Sequence, residues 1–477
     1  MTIGNFVKTI QNIMRGDSGI NGDAQRIEQM TWILFLKVYD AKEEDWEFHD
    51  DNYESIIPEE LRWRNWAVDN KDGEALTGQG LLDFVNMRLF PALKELKITE
   101  KTPMKKSIVK AVFEDSNQYM KDGVLLRKVI NVIDGIEFDE YNERHAFGDI
   151  YETILKSLQS AGNAGEYYTP RAVTQFMVDM VNPQLGEQVL DFACGTGGFL
   201  VCALEHLRNQ VKNIEDEQKL QNAILGVEKK PLPHMLCVTN MILHNIDNPK
   251  IKHDNSLSYQ VKDIKARDKV DIIITNPPFG GIEEEGIPDN FPATYKTKET
   301  ADLFLVLLMY KLNMTGRAAI VLPDGFLFGE GVKTAIKEKL LDEFNLHTIV
   351  RLPNGVFAPY TGINTNLLFL ERGKTEEIWF YEHQLPQGYK NYTKTKPIKI
   401  DEFDAEKAWW DRNNRKETDF AWKVSINEIK QRNYNLDFKN PFKDKDGTIL
   451  SISELINKIE GSMEKSNYII NKIKGAM

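Results

Sequence analysis

Residues 187–200, EQVLDFACGTGGFL, constrain the fold of this chain more than any other segment. The apolar run that ends in Asp191 predicts a β-strand, and the run VCALEHLRNQV that follows the segment predicts a helix. Between them lies a turn that contains three glycines, Gly195, Gly197 and Gly198. A strand, a glycine-rich turn and a helix in this order allow a backbone to approach a nucleotide-like ligand closely at the helix N-terminus. The segment therefore predicts an α/β fold with a ligand site at this turn.

The spacing of this turn is Asp-x-x-x-Gly-x-Gly-Gly and differs from the Gly-x-Gly-x-x-Gly of a dinucleotide site. Asp191 at the strand end suits a ligand with an ammonium group and no phosphate, so hydride-transfer cofactors are disfavoured. A second predicted strand, NAILGVE (222–228), ends in Glu228, whose carboxylate can accept both hydroxyls of a ribose. The interval between the two acidic residues exceeds the usual ~20 residues, and the acidic stretch NIEDEQKLQ predicts an extra helical turn or loop there.

A second candidate site follows the apolar run DIIIT (271–275) and consists of Asn276, Pro277, Pro278 and Phe279. The amide, two prolines and aromatic ring would form a rigid cup for a flat group that carries an amine. The Asn276 side-chain oxygen and the Pro277 carbonyl can accept from its two N–H bonds, because proline keeps its C=O. Phe279 can stack on the ring. The cup requires a flipped or single-stranded nucleotide, and a simple Pro-Pro turn after a strand is the alternative.

The glycine-rich turn followed by Asn-Pro-Pro-Phe resembles the S-adenosylmethionine-dependent amino-methyltransferases, specifically the modification (M) subunit of type I restriction-modification systems. The residues that match this family's opening cofactor motif are Gly165, Glu166, Tyr167, Tyr168, Thr169 and Pro170. The likeness continues through PHMLCVTNMILHN (233–245), TADLFLVLLMYKLN (300–313), GRAAIVLPDGFLFG (316–329) and RLPNGVFAPYTGINTNLLFLERG (351–373). It therefore covers residues 165–373 and implies a doubly wound class I methyltransferase core.

The resemblance implies methyl transfer from S-adenosylmethionine to the N6 amino group of a flipped adenine in DNA. It implies that Tyr168, Thr169 and Pro170 cover the methionine end of the cofactor, and that Glu228 binds its ribose. The implied backbone cradle consists of Gly195, Thr196, Gly197 and Gly198. The segment HDNSL (253–257) stands where the family often has an acidic residue against the cofactor adenine. Either Asp254 or Asn255 can make this contact.

The histidines and cysteines of this region are expected to be packing residues. The histidines are His206, His234, His244, His253 and His347, and the cysteines are Cys194, Cys202 and Cys237. Methyl transfer from a sulfonium needs an aligned nucleophile at about 3 Å and no base before the step, so a histidine base is not required. The cysteines lack metal-ligand spacing and resemble small buried hydrophobic residues. No metal site is predicted.

The length of 477 residues allows roughly three domains of 100–200 residues. We predict a helical domain over residues 1–160, a methyltransferase catalytic domain over 161–375, and a C-terminal region with a partner-docking helix over 376–477. The strands expected after the second site are AAIVLPD, HTIVRLP, TNLLFLER, which can close the sheet as a hairpin, and EIWFYEH. The first domain contains Trp32, Trp46, Trp63 and Trp66. These side chains are expected to fill a helical core rather than to form a base-stacking platform.

The C-terminal residues after Ser451 follow alternating steps of four and three. The positions of this predicted heptad seam are Ile452, Ile456, Ile459, Met463, Ile470 and Ile473, with Ser466 at the missing seam position. A helix that packs on its own domain is an equal alternative on the pattern alone. In the resembled family this helix meets the specificity (S) subunit, which favours a docking role.

The net charge of −12 gives the chain no overall attraction to DNA. Contact with double-stranded DNA must therefore come from local patches or from a partner. The candidate patches are Lys229-Lys230, Tyr295–Lys298 and KNYTKTKPIK (390–399), although short charge runs are usually solvated loops. The resemblance implies a separate specificity subunit, commonly one flanked by two M chains, and a restriction subunit as a further partner. The N-terminus lacks a signal-peptide pattern and no stretch of 18 apolar residues occurs, so the expected location is cytoplasmic.

Three alternatives to this function stay open. A glutamine-amide methyltransferase acting on proteins also uses an Asn-Pro-Pro-aromatic cup, although its family members are shorter. A cytosine-N4 methyltransferase usually has Ser in place of Asn276. A non-catalytic scaffold with the same fold is disfavoured by the intact Asp191, Gly195, Gly197 and Asn276.

Overall fold

The computed structural model describes residues 3–69, 75–99, 101–135, 169–358 and 361–443, together with Glu460 and Met463. Four residues of the predicted opening motif, Gly165, Glu166, Tyr167 and Tyr168, lie outside these ranges. The predicted heptad seam also lies outside them, apart from Met463. Within the described ranges, no helix combines the length and the apolar character needed to cross a membrane.

The regular secondary structure of the N-terminal block is entirely helical over its described residues. Its helices are α1 (Ile3–Arg15), α2 (Asp23–His49), α3 (Trp63–Trp66), α4 (Gly78–Phe84), α5 (Phe90–Lys94), α6 (Met104–Glu114) and α7 (Gly123–Asp134). A π-helical segment, Val85–Leu89, joins α4 to α5. All four tryptophans of this block are buried, which confirms that they fill a core. Burial on nearly every face explains why α2 carries so few polar side chains in its middle.

A mixed sheet of nine strands forms the second part of the described chain. Its strands are β1 (Val189–Asp191), β2 (Ile224–Glu228), β3 (Lys250–His253), β4 (Val270–Thr275), β5 (Leu312–Pro323), β6 (Phe344–Arg351), β7 (Thr365–Arg372), β8 (Glu377–Glu382) and β9 (Ala421–Ser425). Their order is β3-β2-β1-β4-β5-β7-β6-β8-β9. The pairs from β3 to β5 are parallel, and β7 is antiparallel to both β5 and β6. β8 is parallel to β6, and β9 is antiparallel to β8.

Helices cover both faces of this sheet. They are α8 (Arg171–Val181), α9 (Gly198–Arg208), α10 (Ile214–Ala223), α11 (Pro231–Leu243), α12 (Thr300–Lys311), α13 (Asp324–Phe328), α14 (Val332–Glu343), α15 (Asp404–Trp409) and α16 (Ile426–Gln431). Successive residues of β4 point to opposite faces, so Ile272 and Ile274 enter one core and Ile273 enters the other. Strands buried on both faces are continuously apolar, as the DIIIT run is. The predicted doubly wound fold is confirmed.

The N-terminal block packs against the sheet-containing part through α2 and α11. The Trp46 indole N–H donates to Asp247 Oδ1 at 3.1 Å, and the Lys105 backbone N–H donates to Asn248 Oδ1 at 2.8 Å. Both acceptors lie between α11 and β3. The apolar core of the N-terminal helices is continuous with the core on that face of the sheet.

Three features of the sheet differ from the sequence-based expectation. β3 and β9 carry no strong strand pattern and were not predicted. β7 does form an antiparallel pair with β6, but it lies between β5 and β6 inside the sheet and does not close it. The predicted boundary at residue 375 falls between β7 and β8 of one continuous sheet, since long-range pairing with β6 fixes the position of β8. The domain division itself stays a prediction.

Candidate active site

The carboxyl ends of β1, β2, β3, β4 and β5 lie at one edge of the sheet because these strands are parallel. β1 has β2 on one side and β4 on the other, so the strand order reverses beside it. Ligands of open α/β sheets bind in the crevice at such a reversal. The predicted site residues that follow these strands are Asp191, Glu228, Asp254 and Asn276. The fold therefore brings the two candidate sites of the sequence to one crevice.

The glycine turn after β1 contains backbone conformations that residues other than glycine adopt only with strain. Gly195 and Gly197 have φ values of 53° and 87°, both in the left-handed region. A Cβ on Gly197 would lie 2.9 Å from the Cys237 sulfur on α11. The turn is also tied to β2, because the Cys194 backbone N–H donates to the Val227 carbonyl at 3.1 Å. All three cysteines of the chain are buried, as predicted, and none forms a disulfide.

Gly197→Ala is expected to lower the free energy of unfolding by about 2–4 kcal/mol. About 1–2 kcal/mol comes from the left-handed backbone, and the remainder comes from crowding of Cys237 in a packed core. Thermal or chemical unfolding measures the change. The matched control is Gly186→Ala, since Gly186 has φ of 97° and no described atom within 4 Å of the added Cβ. Equal losses in the two variants would show that contact with Cys237 contributes nothing.

Glu228 is held in place by two backbone N–H groups, one from the turn after β1 and one from the segment after β2. Its Oε2 accepts from the Gly195 N–H at 2.8 Å, and its Oε1 accepts from the Lys230 N–H at 2.7 Å. Each carboxylate oxygen has a further lone pair, so hydroxyl donors can still bind. The arrangement orients a carboxylate beside the glycine turn.

Asp191 is fully buried at the end of β1. Its Oδ1 accepts from the Thr275 hydroxyl at 2.7 Å and from the Ala193 N–H at 3.1 Å. Burial raises the pKa of Asp191 to about 7, aided by the nearby charge of Glu228 and opposed by these hydrogen bonds. A buried carboxyl of this kind favours a cationic partner, because a positive charge would restore the ionised form.

Asp254 and Asn255 follow β3 at the same edge. The Asp254 carboxylate accepts from the Asn255 N–H and from the Tyr259 hydroxyl. The Asn255 side-chain oxygen accepts from the Leu257 N–H at 3.0 Å. Both side chains are half-buried, so the geometry leaves open which of the two contacts a ligand.

The predicted cup after β4 contains a buried amide with one unused acceptor. The Asn276 Nδ2 donates to the Thr169 hydroxyl at 2.8 Å, which fixes the orientation of the amide. Its Oδ1 is buried and has no hydrogen-bond partner among the described residues. An unpaired buried acceptor costs roughly 1–3 kcal/mol. Such a site persists where a ligand supplies the donor.

The rest of the cup is closely packed. Pro277 is buried, Pro278 is half-buried, and Phe279 is only 4% exposed. The ring of Phe279 meets the ring of Phe357 edge to face, with centroids 6.2 Å apart. Phe357 lies in the loop between β6 and β7, so this loop forms a wall behind the cup.

The described residues of the opening motif lie beside Asn276. Pro170 precedes α8, and its carbonyl accepts from the Val173 and Thr174 N–H groups. Thr169 supplies the hydroxyl that holds Asn276. The sequence predicted contact of Thr169 with the cofactor and did not predict this bond to the cup.

Thr275 and Phe357 are two further site residues that the sequence did not single out. Thr275 ends the DIIIT run, and its hydroxyl is directed into the site by strand alternation. Phe357 belongs to the quoted run RLPNGVFAPYTG, whose position next to Phe279 depends on sheet topology. The sequence contained both residues but no local signal for their roles.

The histidines of this part of the chain make packing contacts. His234 bonds to the Ile251 carbonyl at 3.1 Å, and burial lowers its pKa to about 4. His347 is buried against Thr348 and Arg412, and burial places its pKa well below the usual value. Neither His234 nor His347 has a contact with Asn276 among the bonds described for it.

Comparison with known proteins supplies the family. The family model N-6 DNA Methylase matches residues 142–448, and the HsdM N-terminal domain model matches residues 3–133. The first match spans well over half of the chain. The chain belongs to the N-6 DNA methylase family. Within this family it is similar to the Escherichia coli type I restriction enzyme EcoEI methylase subunit, with 56% identity over 93% of this chain and 91% of that protein.

Two solved structures extend the match to the type I methylase subunits of this N-6 DNA methylase family. One, from Vibrio vulnificus YJ016 and assigned as the modification subunit of a type I restriction enzyme, has a TM-score of 0.83 and 44% identity over 93% of this chain and 97% of that one. A chain from a study of complex assembly in the type I R-M system has a TM-score of 0.82 and 35% identity over 99% of this chain and 97% of that one. The predicted family, its fold and its methyltransferase activity are thus confirmed.

Proposed function

We propose that the described site transfers a methyl group from S-adenosylmethionine to the N6 amino group of an adenine extruded from DNA. The observation that carries this proposal is the buried Asn276 Oδ1, which has no hydrogen-bond partner among the described residues and belongs to an amide fixed through Thr169. A planar amine that enters the cup supplies the missing donor. Its second N–H can be accepted by the Pro277 carbonyl, and Phe279 offers an aromatic face.

The chain's residues fit S-adenosylmethionine at the crevice. When bound, this cofactor supplies a methyl group on a positively charged sulfur. Asp191 would hold its ammonium group, Glu228 its ribose hydroxyls, and the turn from Gly195 to Gly198 its backbone contacts. Asp254 or Asn255 would meet its adenine, and the opening motif Gly165–Pro170 would cover its methionine end. The lack of a side chain at Gly197 keeps this turn close to α11.

The reaction proposed needs orientation more than proton transfer. Asn276 and Pro277 would hold the amine so that its lone pair faces the methyl group, which gives the large rate gain of fixed geometry. Extrusion of the base costs a few kcal/mol. The bonds of His234 and His347 go to the Ile251 carbonyl and to Thr348 and Arg412, which is consistent with a site in which no histidine acts as a base.

Cofactor affinity is expected to depend on pH through Asp191. In the free chain the pKa of Asp191 is raised to about 7 by burial, whereas a bound ammonium favours the ionised carboxylate. Binding therefore has to remove a proton below pH 7, and affinity should fall by up to about tenfold per pH unit there. Calorimetry at several pH values measures the slope. Asp191→Asn should bind more weakly and lose the slope, and an unchanged slope in that variant would exclude Asp191.

We also propose that this chain acts in a complex with a specificity subunit, with two methylase chains for each such subunit, and that a restriction subunit can join. The support is the 35% identity to a chain from the type I R-M assembly study, together with the acidic net charge. The tail after Ser451 is proposed as the docking helix. A cytoplasmic location stays part of the proposal because DNA is the substrate.

The function is tested by co-expressing the chain with its neighbouring specificity gene and supplying labelled cofactor and DNA. The expected product is N6-methyladenine at a defined sequence. Label in N4-methylcytosine or in a protein glutamine would support one of the rival substrates. No transfer by a complex that binds the cofactor would support a scaffold.

A further inference from the structure

The three basic patches that the sequence singled out all follow carboxyl ends of strands. Lys229-Lys230 follows β2, Tyr295–Lys298 follows β4, and residues 390–399 follow β8. β5 and β6 are each antiparallel to β7, so they run in the same direction as each other. β4 is parallel to β5 and β8 is parallel to β6, so β8 ends at the same edge as β4. The loops that carry the three patches therefore all leave the sheet at the edge that carries the cup. Local charge at this edge matters because the chain as a whole carries −12.

The loop after β8 is the most strongly basic of the three. Its four lysines, Lys390, Lys394, Lys396 and Lys399, are all exposed. Residues 383–400 contain no aspartate or glutamate. The patch after β4, in contrast, shares its loop with Glu283, Glu284 and Glu285, and Lys296 pairs with Asp289. Of the three patches, the loop after β8 has the most lysines, and residues 383–400 around it include no acidic residue.

This basic loop, residues 389–399, is anchored by two buried side chains, Tyr392 and Ile398. The Tyr392 hydroxyl donates to Glu402 and contacts His383 Nε2 at 3.2 Å. His383 in turn bonds to Glu406 at 2.6 Å in a fully buried pair. A loop that is anchored by buried side chains loses less conformational freedom on binding an anion than an unanchored loop does.

The anchor also contacts the wall of the cup. The Tyr392 N–H donates to the Asn354 carbonyl at 3.2 Å. Gly355 packs so closely on this backbone that an added Cβ would lie 2.2 Å from the Tyr392 carbonyl oxygen. Two residues further along, Phe357 meets Phe279 of the cup. The basic loop is therefore linked to the cup by a short series of packed contacts.

We infer that the basic loop binds the DNA phosphates that flank the extruded nucleotide. The inference deepens the proposed function, on which it rests, by naming the surface that holds the DNA backbone. Lysines bind phosphates as point charges and release counterions, which gives affinity without sequence preference. The loop would hold the strand while Asn276 and Pro277 hold the base.

The test replaces all four lysines with glutamine in the complex with the specificity subunit. DNA affinity is then measured by fluorescence anisotropy at several salt concentrations. The slope of log K against log salt should fall in magnitude by about 0.9 for each phosphate that the loop no longer binds, so by up to roughly 3.6. Cofactor affinity should not change. The four-arginine variant should keep the slope of the unmodified complex.

The matched control removes four charges from the loop before β4: Lys262, Lys265, Arg267 and Lys269. This segment leads into β4, which begins at Val270 at the opposite edge of the sheet. An equal slope in the lysine variant and the unmodified complex would overturn the inference. The inference would also be overturned if the four-glutamine variant lost the specificity subunit while the slope stayed unchanged. The loop would then contact that subunit and not the DNA. If the salt slope depended on the four lysines but the complex transferred no methyl groups, the inference about the loop would stand and the proposed function would be refuted.

Discussion

Asn276→Ala is expected to reduce the rate of methyl incorporation by at least about 10²- to 10³-fold, the loss typical of removing one fixed catalytic hydrogen-bonding group. Cofactor affinity should stay within a few-fold. The physical reason is that Asn276 Oδ1 is a buried acceptor without a partner among the described residues, and its amide is already oriented by Thr169. Single-turnover transfer of labelled methyl groups to DNA, with calorimetry of cofactor binding, separates the two effects.

Two controls accompany this variant. Asn345→Ala removes a half-buried amide that donates to Glu371 near the start of β6, at the opposite edge of the sheet. It should transfer methyl groups at the normal rate. Thr169→Val leaves Asn276 in place and removes its orienting acceptor, so its loss should be smaller than that of Asn276→Ala. Normal turnover by Asn276→Ala would remove the cup from the mechanism.

Glu228→Ala should raise the cofactor Kd at least tenfold, about 1.4 kcal/mol. The variant loses the proposed ribose contact and also leaves the Gly195 and Lys230 N–H groups without their carboxylate acceptor. Hydrogen bonds to a charged group contribute roughly 1.5–3 kcal/mol each, so the glycine turn should also lose rigidity. Calorimetry gives the Kd, and thermal unfolding reports the loss in the free protein.

Glu228→Gln distinguishes the two contributions. An amide keeps one acceptor for the turn but cannot accept on both sides, so its effect should lie between those of the unmodified chain and Glu228→Ala. Glu215→Ala on α10 is the surface control, because its 78% exposed side chain only pairs with Lys219. A Kd that is the same for Glu228→Ala and Glu215→Ala would place the ribose elsewhere.

The strands that the sequence predicted are the interior strands of the sheet. The runs at β1, β4 and β7 are continuously apolar, which is the pattern of an interior strand. β3 has the sequence KIKH, in which only Ile251 is buried, because it is the edge strand of the sheet. β9 has exposed Lys423 at its centre and lies at the other edge. Local hydrophobicity therefore predicted the interior of the sheet and failed at its two edges.

In the candidate site, too, local sequence motifs predicted the residue types but not the contacts between residues far apart in the chain. The types and order of Asp191, Glu228 and Asn276 predict carboxylates and an amide at the ends of parallel strands, and the structure brings them to one crevice. The bond between Thr169 and Asn276 joins residues 107 positions apart. The packing of Phe357 on Phe279 depends on the insertion of β7 beside β5. Neither contact has a local sequence pattern, because tertiary pairing alone creates it.

The hydroxyl of Thr275 donates to Asp191 at 2.7 Å, and Thr275 is the immediate chain neighbour of Asn276. Asp191 is proposed to bind the methyl donor, and Asn276 is proposed to hold the adenine. These two residues are therefore joined through Thr275 by one hydrogen bond and one peptide unit. We therefore expect ligand binding at Asp191 and base binding at Asn276 to be coupled. Thermodynamic reciprocity then requires that each ligand change the binding of its counterpart by an identical factor. The order in which cofactor and DNA are added would change the rate at which the ternary complex with the protein forms. It would not change the amount of that complex at equilibrium.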